Sequence, residues 1–247
     1  MSDPTHLSLA RASRLDRWLL WSVALLVFAQ AAAVGLQVIG RHVLHQPLPW
    51  TEEIARLLLV WLMCVGGVAG LRLGQHPRVT AATRLLSASH REAVDRGLRI
   101  VLIGLFMTLL VPSWRLTAAS LGERLPASGL SGAVMSGILP LTLVLMIAVL
   151  VHQVVQEGWR VWRDTNALTW ALGAAGLTIA AVGVPILIGA PPLAVLVLGF
   201  LTTAALGVPL AFTLVLTSFF YLLGIGGIGL IILPIKILGG VDSFVLL

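Results

Sequence analysis

The sequence predicts an all-α, polytopic membrane protein of about six or seven spans, with its N-terminus in the cytoplasm. Three observations lead there. Hydrophobic residues make up 58% of the 247 and charged residues only 11%, whereas a soluble domain carries about 25% charged residues. The apolar residues fall into long runs, near the roughly 20 residues that a helix needs to cross a hydrocarbon core about 30 Å thick. The arginines collect between those runs. Backbone groups in lipid must pair within their own segment, which makes helices the default. The alternating polarity of β-barrel strands, about 10 residues each, is absent.

The first run, Trp18 to about Leu44, holds no charge before Arg41. Arg14 and Arg17, then Leu19–Phe28, then Ala29-Gln30-Ala31 supply the parts of a cleavable signal peptide. Apolar character continues to Ile39, too far for a typical signal, so a retained span is expected. The second run, Ile54 to Leu71, follows Pro47-Leu48-Pro49-Trp50-Thr51. The third covers Leu98–Val111 and continues past Pro112 towards Leu121. A Gly- and Pro-containing stretch, Gly122–Gly132, precedes the fourth run, Val134 to Val155. A fifth covers Ala167–Gly189. The sixth, Pro192 to about Leu223, is too long for one upright helix, and Gly207-Val208-Pro209 should kink it or divide it in two. Gly224–Gly229 reads as a loop or a helix break. Thr80–Arg99, with Leu85, Leu86, Val94 and Leu98 among its arginines, suits either a basic amphipathic helix flat on the leaflet or a solvated helix.

The arginines orient the chain. Arg11, Arg14, Arg17, Arg72, Arg78, Arg84, Arg91, Arg96, Arg99, Arg160 and Arg163 fall on one side, and only Arg41, Arg56, Arg115 and Arg124 on the other. Eleven against four places the N-terminus inside. The formal charge of +6 is thereby explained by topology, and no nucleic-acid partner is expected. Cys64 is the single cysteine, so an internal disulfide is excluded. His42 and His45 have no nearby acid or thiol to complete a metal set. Only His152 approaches mid-helix depth, so a haem held between spans is not expected. Hydrolase, zincin and nucleotide-binding motifs are missing. No catalytic residue, metal or cofactor is expected, and the chain is not read as an enzyme.

Glu52, Glu53 and Arg56 stand where the second span begins. Two carboxylates at the bilayer centre would cost roughly 2.5–3.5 kcal/mol each, so they belong at the non-cytoplasmic interface. Thr51 suits an N-cap, the acids suit the helix dipole, Glu52 and Arg56 pair at i,i+4, and Trp50 fits an interfacial belt. Beside that structural role stands docking of a partner. The Gly66, Gly67 and Gly70 cluster signals close helix packing.

Trp50-Thr51-Glu52-Glu53-Ile54-Ala55-Arg56, with Gly74-Gln75-His76-Pro77-Arg78-Val79 just after the span, resembles the small (Q-type) membrane subunit of tripartite ATP-independent periplasmic (TRAP) transporters. That family shows W-x-E-E-x-x-R and G-x-H-x-x-V at these places; Thr80 stands where it often has an acid, and Pro77 replaces the more usual Ile. The resemblance covers about residues 15–160. Gly207-Val208-Pro209-Leu210-Ala211-Phe212 and Gly239-Gly240-Val241-Asp242-Ser243-Phe244 resemble the start of the large (M-type) subunit.

Together these imply a small-subunit domain over 1–163, a linker span over 164–191 and the front of a large-subunit domain over 192–247, a fused permease that would continue beyond Leu247. The resemblance further implies sodium-coupled uptake of organic anions such as carboxylates, delivered by a periplasmic binding protein across the bacterial inner membrane. The partners would be that binding protein, the remainder of the large subunit and the lipid bilayer. Trp50, Glu52, Glu53 and Arg56 would mark a scaffold or subunit interface. Gly74, His76 and Val79 would form a cytoplasmic loop motif. Gly207, Pro209, Asp242 and Ser243 would belong to the large-subunit motifs. A non-transporting membrane scaffold or assembly protein is the alternative.

Overall fold

The structure is a computed structural model; it describes residues 13–46, 48–77, 87–161, 191–225 and 229–245, with 169, 172–173, 175–180, 183 and 189 between them. Eight helices run through these residues: α1 (Arg14–His42), α2 (Pro49–Leu73), α3 (Ala88–Ala119), α4 (Gly132–Ser136), α5 (Ile138–Val161), α6 (Pro192–Ala205), α7 (Leu210–Ile225) and α8 (Ile232–Val245). Four helical stretches, Arg14–His42, Pro49–Leu73, His90–Ala119 and Gly132–Gln156, are long and apolar enough to cross a membrane. At 1.5 Å per residue α6 and α7 reach only about 21 and 24 Å. Most of the expected fifth span, 167–189, lies outside the described residues.

Local chemistry sets the ends. Ser13 and Asp16 form a capping box at α1: Asp16 N–H donates to Ser13 Oγ at 3.2 Å, and Ser13 N–H to Asp16 Oδ2 at 2.9 Å. α2 starts earlier than expected. Leu48 is its N-cap and Pro49 its first residue, where a missing N–H costs nothing. Thr51 is thus already inside the helix, and its hydroxyl donates to the Leu48 carbonyl at 2.6 Å instead of accepting from a backbone amide. Gly74 ends α2 in the left-handed region at φ 67°, and Gln75 N–H closes on the Gly70 carbonyl at 2.9 Å.

The first part of the polar stretch before the third span, residues 80–86, lies outside the described residues. From Ala88 onward the stretch is the beginning of α3, with Ala93, Val94 and Leu98 buried. At about 48 Å, α3 outreaches the hydrocarbon core, and its arginine-bearing end projects beyond the apolar part. Pro112 stays within the helix, as the continued run predicted. The fourth run is divided at Gly137 into α4 and α5. Gly207, at φ 90°, divides the sixth into α6 and α7, so the long run is two short helices rather than one kinked one.

The core is a packed seam. Val94, Leu98, Leu102, Leu105 and Leu109 recur at three- and four-residue steps down α3 and face Met146, Val149 and Leu150 of α5 and Val68 and Leu71 of α2. Val208, Phe212, Leu216 and Phe219, on and just before α7, and Leu233 of α8 join the same cluster. α1 packs along α2 yet fully buries only Gly40. A Cβ there would come within 3.1 Å of Leu48 Cδ1 and 3.2 Å of the Gln46 carbonyl oxygen.

Gly207→Ala places a side chain in a backbone region that favours glycine, a strain of about 1–3 kcal/mol, and should lower the thermal midpoint of the detergent-solubilised protein. Gly35→Ala, inside α1 with open space around it, should leave the midpoint unchanged or raise it slightly. An unaltered midpoint for Gly207→Ala would contradict the turn.

Candidate functional site

α2 carries most of the residues singled out from the sequence, and its two ends do different work. At its start, Trp50 is 44% exposed. One turn on, Arg56 Nη2 meets Glu52 Oε1 at 2.9 Å, the expected i,i+4 pair, with both side chains about one-third exposed. Such a pair contributes only about 0.3–0.5 kcal/mol.

Glu53 does something else. Its Oε1 accepts from Ala127 N–H at 2.9 Å, and its Oε2 accepts from Ser128 N–H and Ser128 Oγ–H, both at 2.7 Å. Three donors on one carboxylate make a charge-assisted clasp, with each bond about twice as strong as a neutral one. The loop it grips is itself closed. Leu125 N–H donates to the Leu130 carbonyl at 2.8 Å, Gly132 N–H to Glu123 at 2.9 Å, and Arg124 Nη1 to Gly129 at 3.1 Å. Gly129 supplies the left-handed turn at φ 70°. Trp61 Nε1–H adds a second tie, to the Val134 carbonyl at 3.0 Å beside the α4–α5 break. The chemistry here is positional: this end of α2 is pinned to the α3–α4 connection.

At the other end, Arg72 crosses to α1, where its Nε donates to Asp16 Oδ1 and its Nη2 to Ser13 Oγ at 3.1 Å. Beyond Gly74 the chain folds back and sets His76 against the helix it has just left. His76 Nε2 lies 3.1 Å from the Gly67 carbonyl oxygen, which can only accept, so Nε2 carries the proton. Gly70 makes room: a Cβ there would stand 3.2 Å from His76 Nε2. The imidazole meets Phe212 edge-on, centroids 4.9 Å apart, and Phe212 meets Phe106 in the same manner at 5.4 Å. Leu210 N–H, an open donor at the start of α7, is taken by the Pro77 carbonyl at 3.1 Å. A cavity of about 420 Å³ adjoins this junction, lined by Met63, Gly66, Gly67, His76, Phe106, Phe212 and Pro234 among others.

The two ends thus divide the expected residues. Glu52, Glu53, Arg56 and Trp50 share one end; Gly74 and His76 share the other with Pro209 and Phe212. Gly207 is the buried hinge between α6 and α7, and Pro209 is buried immediately before α7. Asp242 and Ser243 lie within α8. Val79 lies outside the described residues. Two of the three clustered glycines have close neighbours: Gly70 faces His76, and a Cβ on Gly67 would meet Met146 Cε of α5 at 2.9 Å, whereas a Cβ on Gly66 would meet nothing within 4 Å. Sequence reasoning missed the Ala127–Ser128 donor loop that Glu53 grips and the Asp16–Arg72 bridge. For the bridge a signal existed, since opposite charges stand at the same end of two neighbouring antiparallel spans. Among the described residues, no group of three or more His, Cys, Asp or Glu could hold a metal ion.

Glu53→Gln leaves one amide oxygen and turns an NH2 towards the donors, so amide hydrogen exchange at Ala127 and Ser128 should accelerate about tenfold or more. Glu52→Gln should leave those two amides unchanged. Equal exchange in both variants would show that the loop holds itself.

The geometry can be set beside known proteins. The family model of tripartite ATP-independent periplasmic transporters, DctQ component, matches residues 30–160. The sialic acid TRAP transporter permease protein SiaT of Haemophilus influenzae (strain 86-028NP) is 27% identical over 89 residues, 36% of this chain. That alignment spans only 14% of the relative's length. The family match runs from inside α1 to the last turn of α5, taking in the Glu53 clasp and His76, while Phe212 and Leu210 fall outside it. With more than half of its residues so matched, this chain belongs to the DctQ-component family of TRAP transporters.

Proposed function

We propose that this chain is the scaffold of a TRAP permease, together with the first helices of its transport subunit. In this reading residues 1–163 form the small-subunit domain, 164–191 a linker span and 192–247 the front of a large-subunit domain. The permease takes up organic anions such as carboxylates with sodium, from a periplasmic binding protein, across the bacterial inner membrane. The N-terminus and the His76 end face the cytoplasm, and the Glu53 end faces the periplasm, where the binding protein docks.

The observation that carries the reading is the junction at Phe212. The two segments that resemble different subunits meet there: His76 of one meets Phe212 of the other edge-on, and Pro77 accepts from Leu210. A large-subunit start that belongs against a small-subunit domain would be seated in this way. The relative's name speaks of sialic acid, a carboxylate, and is consistent with an anionic substrate.

The test is uptake. Proteoliposomes holding the full gene product should accumulate a carboxylate presented on the cognate binding protein, and only under an inward sodium gradient. Sodium-independent uptake would remove the coupling. No uptake by well-folded permease would remove the transporter reading. Glu52→Gln with Glu53→Gln should weaken uptake or recovery of the complex with the binding protein, and unchanged values of both would sink the role given to that end. Phe212→Ala, which empties the junction, should cost about 3–5 kcal/mol of stability and lower uptake with it.

A further inference from the structure

Arg14, Arg17, Trp18 and Trp21 recur at i, i+3, i+4 and i+7, so their side chains share one face over the first two turns of α1. All four are exposed, the two indoles at 73% each. A shallow cavity of about 390 Å³ lies between them, and these four residues line it. The acid of this helix end is engaged elsewhere: Asp16 binds Arg72 and caps Ser13. Among the described residues, neither Arg14 nor Arg17 meets an acid. Two guanidiniums one turn apart therefore face outward uncompensated, at the edge of a membrane-length apolar helix.

Their order along the axis adds a second constraint. The arginines come first and the tryptophans follow towards the apolar run, over about 10 Å of helix. A phospholipid presents its groups in the same sequence, phosphate outermost, then glycerol esters, then chains. The interfacial layer that holds the first two is about 5–8 Å thick on each side. Guanidinium forks match phosphate oxygens, and indoles settle at headgroup level with their apolar bodies towards the chains.

We propose that Arg14, Arg17, Trp18 and Trp21 form a binding site for one anionic phospholipid, its phosphodiester between the guanidiniums and its glycerol-ester region against the indoles. The head is anionic rather than zwitterionic because a choline or ethanolamine cation would sit among uncompensated arginines. The ligand is a lipid rather than a free phosphate because the inner half of the site is an indole wall that an inorganic ion does not use.

Tryptophan fluorescence tests this on the full chain in phosphatidylcholine nanodiscs. A minor fraction of chain-brominated phosphatidylglycerol serves as quencher, compared with the same fraction of brominated phosphatidylcholine. The parent protein should be quenched more by the anionic lipid, corresponding to about thirtyfold local enrichment from two arginines near the surface. Arg14→Gln with Arg17→Gln should abolish that preference while circular dichroism stays helical. Arg14→Lys with Arg17→Lys should retain part of it. Trp18→Phe with Trp21→Phe should remove most of the lipid-specific quenching, because the reporters at the site are gone. Preference that survives the glutamine pair would overturn the site. Preference abolished by inorganic phosphate but not by chloride of equal ionic strength would also overturn it, leaving a small-anion site.

Discussion

Lipid gives a membrane helix nothing to hydrogen-bond and no hydrophobic reason to leave it for another helix. Spans are therefore joined by close packing and by polar ties where helices begin and end. α2 answers that constraint at both of its ends. The Glu53 carboxylate takes two backbone amides and a hydroxyl of the α3–α4 loop at one end. Arg72 takes Asp16 and Ser13 of α1 at the other. Between them, Gly67 and Gly70 leave room for Met146 and His76 to come close. α1 depends on this arrangement most, because it buries so little of itself. Its position rests on the Arg72 bridge and on Leu48 and Gln46 meeting Gly40.

The same economy explains why α7 and α8 belong to the core of the first helices. α7 begins with an unfilled amide donor, Leu210 N–H, and the Pro77 carbonyl supplies the acceptor. Phe212 then enters between His76 and Phe106. A short helix of about 24 Å that cannot span comfortably by itself gains its place through Phe212, Leu216 and Phe219, which join the buried cluster of α2, α3 and α5. Gly207, in the left-handed region at φ 90°, ends α6 just before that junction.

The all-α membrane class, four of the apolar runs and the boundary at Gly207 were legible because each rests on a property of one segment: its length, its apolar content, or a residue that cannot continue a helix. The start of α2 was read late, at Thr51, because a hydroxyl was favoured over Pro49, whose fixed φ suits the first helical position. The site divided along the same line. The Glu52–Arg56 pair is local and was readable from spacing. The Glu53 clasp joins positions 74 and 75 residues apart, and the Arg72–Asp16 bridge spans 56. No single-sequence pattern encodes which loop amides are left open to receive a carboxylate. The His76 and Phe212 motifs were each visible, but their meeting is a property of the packed chain.

The distribution of charge bears on what the four long spans can contribute to transport. Residues 18–40, 57–71, 100–114 and 138–151 contain no Asp, Glu, Lys, Arg or His. Three hydroxyls at these depths turn back on their own helices: Ser22 to Trp18 at 2.9 Å, Thr108 to Leu105 at 2.7 Å and Thr142 to Ile138 at 2.7 Å. Gln30 differs, with its amide oxygen buried and without a partner. A path for an ion or a carboxylate needs ionisable or freely presented polar groups at mid-depth, and these spans hold almost none. Their chemistry suits a fixed wall. In the permease proposed above, that chemistry is what a mechanical, non-conducting part requires.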